Sequence, residues 1–165
     1  MLCLHMRGRD PTSSRRSPGV DGSEATNART GFVLVDRMSA SSQSVAIVDD
    51  EESVGRAIWR LLKSAGIEAV VFTSGEAFLE ALQATPPYQP ACVILDFQMP
   101  GLSGLDVQQR LSGTGLPVII ITAYDGPRVR EQARAGGALA YLCKPFDESD
   151  LIDAVRSVLD GAPHA

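Results

Sequence analysis

Three things a chain of 165 residues might carry are missing here. Its three cysteines, Cys3, Cys92 and Cys143, lie far apart and form no CxxC pair. That argues against a zinc site and for a reduced, cytoplasmic protein. No apolar run approaches the roughly 20 residues that span a bilayer. Residues 1–10 hold no sustained apolar core with a small-residue cleavage site after it, so no signal peptide is expected. Positive charge is scarce where the chain should fold. Residues 45–165 hold nine Lys/Arg against sixteen Asp/Glu. Duplex DNA is a poor partner for such a unit, because phosphate contacts need Lys and Arg.

Residues 1–44 differ in character, with six Arg against four Asp/Glu. They are rich in Ser, Thr, Gly, Arg and Asp, and their one apolar run is Phe32-Val33-Leu34-Val35. This composition predicts a disordered N-terminal extension. Met38 precedes the polar lead-in Ser39-Ala40-Ser41-Ser42, so a functional start at Met38 is a further expectation. An intact mass that includes Met1 would refute it. Residues 162–165 read as a short tail.

From Val45 onward a regular alternation sets in. Val45-Ala46-Ile47-Val48 predicts a buried strand that ends in Asp49-Asp50-Glu51. Glu52 to Ala65 predicts a helix, with Val54, Ile58, Leu61, Leu62 and Ala65 on one face and Gly66 after it. Ala69-Val70-Val71-Phe72 is the second strand. Ser74 is placed to cap a helix that turns Phe78, Ala81 and Leu82 inward, and Thr85-Pro86-Pro87 stops it. Cys92 to Leu95 is the third strand, delivering Asp96 to a turn at Pro100-Gly101. Ser103 with Asp106 forms a variant capping box for the next helix.

Pro117 to Thr122 is the fourth strand. Pro127 suits the first position of a fourth helix whose apolar residues are few: Val129, Ala133 and Ala135. Leu139 to Cys143 is the fifth strand, followed by Lys144-Pro145. Asp147 is placed to cap a last helix with Leu151, Val155, Val158 and Leu159 on its core face. Five such repeats demand a parallel sheet with helices on both faces. The expected fold is α/β, a flavodoxin-like doubly wound (βα)5 sheet of strand order 2-1-3-4-5 over residues 45–161.

That order lines up the strand ends: Asp49 and Asp50, then Asp96, then Thr122, then Lys144. The order reverses between strands one and three, where open α/β sheets bind ligands. Converging carboxylates need a raised pKa or a cation. Hard oxygens with room for water suit Mg²⁺. Asp50 is expected as a direct ligand and Asp49 as a direct or water-bridged one. Asp96 would give one oxygen, and the Gln98 backbone carbonyl could give another. The second Asp96 oxygen is then free to attack phosphorus. Lys144 and the Thr122 hydroxyl are placed to receive phosphoryl oxygens. Taken singly, each residue has an ordinary structural reading as a helix start, turn, strand end or surface lysine. Their arrival at consecutive strand ends is what favours phosphoryl transfer.

Val48-Asp49-Asp50-Glu51, Leu95 to Gly104, Ile121-Thr122-Ala123 and Leu142-Cys143-Lys144-Pro145-Phe146 together resemble the receiver domain of two-component response regulators. The resemblance implies that Asp96 accepts a phosphoryl group from a sensor histidine kinase. It implies Mg²⁺ on Asp49, Asp50 and Asp96, a phosphate contact from Lys144, and a switch made by Thr122 and Tyr141. Thr122 would move toward the phosphate and Tyr141 would fill the space it leaves. The fourth helix is the expected moving part. Its Arg128, Arg130 and Arg134, with Asp147, Glu148, Asp150 and Asp153 near the last helix, could pair across a homodimer. With the chain ending at Ala165, output is expected through a partner protein, without direct contact to nucleic acid or membrane.

An enzyme of steady turnover is not expected. The chief rival is a Mg²⁺-dependent phosphohydrolase with an aspartate nucleophile. Such enzymes usually carry a second aspartate two residues on, where this chain has Gln98. An interaction domain that works without phosphorylation is a further alternative. A dinucleotide module needs a glycine-rich loop after the first strand, and this chain has Asp-Asp-Glu-Glu there.

Overall fold

The computed structural model describes residues 44–161. Met38, most of the N-terminal extension and the tail lie outside the described residues. The elements are β1 (Val45–Val48), α1 (Glu52–Ser64), β2 (Ala69–Phe72), α2 (Gly75–Gln83), β3 (Cys92–Asp96), α3 (Gly104–Leu111), β4 (Val118–Thr122), α4 (Pro127–Ala135), β5 (Ala140–Cys143) and α5 (Glu148–Leu159). All strand pairs are parallel, in the order β2-β1-β3-β4-β5. The expected flavodoxin-like fold is thus the observed one.

Period-two alternation sorts the strand residues between two apolar layers. Val45, Ile47, Ile94, Ile119 and Ile121 pack with Ile58 and Leu62 of α1 and Leu151 and Val155 of α5. Ala46, Val48, Val93, Leu95 and Ile120 pack with Phe78 of α2, Val107 of α3 and Ala133 of α4. Strands buried on both sides explain the unbroken apolar runs. Each fully buried Ile or Leu contributes roughly 1.5–3 kcal/mol.

The local signals acted unevenly. Ser74 caps α2 by accepting from Ala77 N–H at 3.1 Å. Ser103 and Asp106 form the full reciprocal capping box on α3. Asp147 does occupy the N-cap of α5, but its side chain makes no capping hydrogen bond. The first helix ends at Ser64, with Ala65 as its C-cap. The fifth strand begins at Ala140, although Leu139 N–H already bonds Val118 O at 2.7 Å. Helix α4 buries one residue, Ala133. It is held to the sheet by far less apolar area than its neighbours.

Candidate functional site

The ladder carries the site residues to one edge. Val48 pairs with Leu95, so Asp49 and Asp96 follow side by side. Thr122 pairs with Cys143, so Lys144 comes next along β5. The ladder continues past the strands, through Asp49 N–H to Phe72 O at 3.1 Å and Lys144 N–H to Thr122 O at 2.7 Å. The pleat then divides the edge. Asp96 shares the parity of Cys92 and Ile94, on the α1/α5 side. Thr122 and Tyr141 share the parity of Ile120, on the side of α2, α3 and α4.

On the α1/α5 side, Lys144 Nζ donates to Asp49 Oδ2 at 2.8 Å and to Asp96 Oδ1 at 2.9 Å. Asp49 and Asp96 are buried, with 1% and 5% exposure. The remaining oxygens are held by the backbone. Asp49 Oδ1 accepts from Glu51 N–H at 2.9 Å, and Asp96 Oδ2 accepts from Gln98 N–H at 3.1 Å. Burial pushes the Asp96 carboxyl above the usual carboxylate range; the Lys144 hydrogen bond and charge pull it back only in part, and Asp49 adds to the rise. Burial works against the Lys144 ammonium, but the bonds and charges of Asp49 and Asp96 outweigh it and raise its pKa. Such a carboxylate is more basic than a solvated one, and its charge is matched by a single ammonium.

Asp50 is exposed. Among the described residues, no three His, Cys, Asp or Glu side chains form a ready metal-ligand group. The expected convergence of three carboxylates is therefore reached by two, because Asp50 falls on the outward side of the loop. The donor set still fits a divalent cation. Three carboxylates against one ammonium leave an excess of two negative charges. Mg²⁺ keeps several waters and needs few protein ligands.

On the other side of the pleat, the Thr122 side chain turns away from Asp96. Its hydroxyl accepts from Tyr124 N–H at 3.1 Å and donates to Tyr124 O at 3.3 Å. Tyr141 Oη donates to the same carbonyl at 3.2 Å. Thr122 and Tyr141 thus meet at one acceptor, the Tyr124 carbonyl, which nothing in the sequence singles out. Arg130 of α4 pairs with Asp125 at 2.8 Å, and its guanidinium lies 5.5 Å from the centre of the Tyr141 ring.

Gln108 was also beyond sequence reasoning. It is buried on α3 and donates through Nε2 to Ala133 O at 3.0 Å, where α4 ends. Its Oε1 has no hydrogen-bond partner among the described residues. Only tertiary placement makes it a brace, since a glutamine at a helical position reads as surface.

The family model for the response regulator receiver domain matches residues 45–156. The chain belongs to the response regulator receiver family. A receiver protein from Burkholderia phymatum is 57% identical, with a TM-score of 0.66 over 72% of this chain and 95% of that one. Nodulation protein W of Bradyrhizobium diazoefficiens is 39% identical over 119 residues, 70% of this chain and 51% of that protein. Transcriptional regulatory protein FixJ of Azorhizobium caulinodans is 35% identical over 120 residues, 72% of this chain and 56% of that protein. This receiver chain spans little more than half the length of the curated relatives it matches. No helix among the described residues is long and apolar enough to cross a membrane.

Proposed function

We propose that this receiver domain accepts a phosphoryl group on Asp96 from a phosphohistidine of a sensor histidine kinase, in the cytoplasm, and passes the signal to a partner protein. One observation carries the reading: Lys144 binds both Asp49 and Asp96 within 3 Å-scale hydrogen bonds, at 2.8 and 2.9 Å, and so gathers nucleophile, acid and cation in one crevice. An Asp96 carboxylate oxygen attacks phosphorus. The new P–O bond forms as the P–N bond of the donor breaks, and the electron pair stays on the imidazole. Lys144 can follow the charge from the carboxylate to the phosphoryl oxygens, because its flexible stem carries a point charge. Gln98 N–H holds one Asp96 oxygen and so keeps the carboxylate turned into the crevice. Asp49, Asp50, Asp96 and the Gln98 carbonyl would hold a Mg²⁺, which would supply charge neutralisation for the transfer.

The switch follows from the other side of the pleat. A phosphoryl group on Asp96 offers Thr122 a charged acceptor in place of the Tyr124 carbonyl. Losing the Thr122 bonds loosens Tyr124, and with it the hydrogen bond from Tyr141. The face of α4, β5 and α5 is then free to change, and a homodimer or a partner protein is the proposed reader. The chain catalyses only changes in its own phosphorylation. Mass analysis after incubation with Mg²⁺ and acetyl phosphate tests the reading. One phosphoryl group per chain is expected, absent in Asp96→Ala. Steady hydrolysis of a small phosphate ester over many turnovers would favour a phosphohydrolase instead.

A further inference from the structure

We propose that Glu76 is a positioning residue for the acceptor site, holding the loop after β3 so that the Gln98 backbone stays against Asp96. The proposal rests on the Mg²⁺-dependent acceptor reading above. Asp96 is oriented by two contacts, and one of them, Gln98 N–H, belongs to that loop. Phe97 is tied to the sheet through its N–H to Ile121 O at 2.8 Å, and Gly104 N–H closes the loop on Phe97 O at 3.0 Å. Between these anchors, and besides the Gln98 N–H bond back to Asp96 of β3, residues 98–102 make one hydrogen bond to another element among the described residues. It runs from Leu102 N–H to Glu76 Oε1, at 3.1 Å.

The same carboxylate sits over Gly101. A Cβ there would lie 2.8 Å from Glu76 Oε1, and Gly101 has φ of 76°, a conformation that favours glycine. The carboxylate fills the space that a side chain at position 101 would take. The start of α2 is seated on the same turn, since a Cβ on Gly75 would lie 3.3 Å from Leu102 Cβ and 2.5 Å from Val107. Helix α2 does not depend on Glu76 for its cap, because Ser74 already fills that role. The Glu76 side chain is exposed, so it holds the loop from outside without entering the crevice.

Mg²⁺ titration by calorimetry of the full chain, with Glu76→Ala and Glu76→Gln beside the wild type, tests the proposal. Amide hydrogen exchange of Gln98 and Leu102, measured without metal, gives a second readout. Loss of a direct partner of a metal ligand typically costs about 10-fold or more in affinity, and Glu76 acts one contact further out, so Glu76→Ala should bind Mg²⁺ roughly 3- to 10-fold more weakly. It should also exchange both amides faster, with its folding intact. Glu76→Gln keeps an acceptor oxygen without the charge and should restore both readouts. Wild-type affinity in Glu76→Ala, or faster exchange at Leu102 with none at Gln98, would overturn the proposal. So would a Glu76→Gln as impaired as Glu76→Ala, since charge alone would then explain the effect. If the wild type binds no Mg²⁺, the acceptor reading loses its cation, and the exchange of Gln98 still decides the role of Glu76.

Discussion

In the loop after β3, residues 97–103, the backbone is anchored at several points, by buried groups and by exposed side chains. Met99 is buried, Gly104 lies against the Asp96 carbonyl, Glu76 takes the Leu102 amide, and a full capping box closes the end. In the loop after β4, residues 123–126, the side chains of Ala123, Tyr124 and Asp125 are exposed. The contacts there are a threonine hydroxyl, a tyrosine hydroxyl and a surface ion pair. Both loops leave one sheet edge, on either side of the Asp96 crevice. On the proposed reading, a transferred phosphoryl group would meet a fixed wall that carries the nucleophile and a loose wall that carries the switch. Chemistry needs the first to stay put, and signalling needs the second to move.

A glycine at the end of each loop, Gly104 opening α3 and Gly126 capping α4, breaks the comparison most directly. A Cβ at Gly104 would lie 2.2 Å from Asp96 O and 2.8 Å from Phe97 Cα, both backbone atoms. Gly104→Ala should therefore cost about 3 kcal/mol, the upper end for overpacking. At Gly126 the nearest atom is Tyr124 Cε1, at 2.9 Å, the edge of an exposed ring that can swing aside. Gly126→Ala should cost less than about 1 kcal/mol, mostly through the poorer helix cap. Urea unfolding of the two variants measures both. Equal losses would remove the distinction between the loops.

This contrast was only partly legible in the sequence. The strands, their order and the arrival of Asp49, Asp96, Thr122 and Lys144 at one edge came from apolar runs, turn residues and topology. Those signals are local or follow from connection rules. The sparse apolar face of α4 was legible for the same reason. Of what fixes the other loop, the Ser103–Asp106 capping box was legible too, and the long-range contacts were not. Glu76 meets Leu102 across 26 residues, and Gln108 reaches Ala133 across 25. Neither spacing leaves a periodic trace. Asp50 looked equivalent to Asp49 in sequence, yet one carboxylate is buried on Lys144 and the other faces solvent. Only the turn after β1 separates them.

Alkaline pH should act on buried and half-buried groups that belong to neither loop. Burial pushes the Cys92 thiol, at the start of β3, up to about 12 from 9.0. Burial also pushes the Tyr88 phenol up to about 12 from 10.0, against the pull of its Ser44 hydrogen bond. Lys144 is raised as well. In each case the folded chain keeps a proton that the unfolded chain has released. Their stabilisation is whole below the unfolded pKa values and is lost as pH rises toward the folded ones. Stability should fall by roughly 1.4 kcal/mol per pH unit for Cys92 and again for Tyr88, beginning near pH 9 with Cys92. Urea midpoints measured across that window check the slope. Cys92→Ala should flatten its first part, and an unchanged slope would mean that the thiol carries none of it.

The smallest effect on stability should come from the loose side. Arg130 holds Asp125 through an exposed ion pair and lies over the Tyr141 ring. Exposed pairs are worth less than about 1 kcal/mol, and an exposed cation–π contact adds about as little. Arg130→Ala, which loses both, should therefore lower the melting temperature by no more than about 8 °C. Its local effect should be larger. Through Asp125 and Tyr141, Arg130 links α4 to the loop and to β5, and apart from Ala133 and the Gln108 brace little of this helix is buried. Amide exchange in α4 should rise well above the wild type, while exchange at Phe97 and Gln98 stays unchanged. Tyr141→Phe, which removes the bond to Tyr124 O, should move the same amides by less, because the ring under Arg130 remains. Equal acceleration in both loops would mean that the two walls of the crevice open as one unit, and the division between a fixed and a movable side would fail.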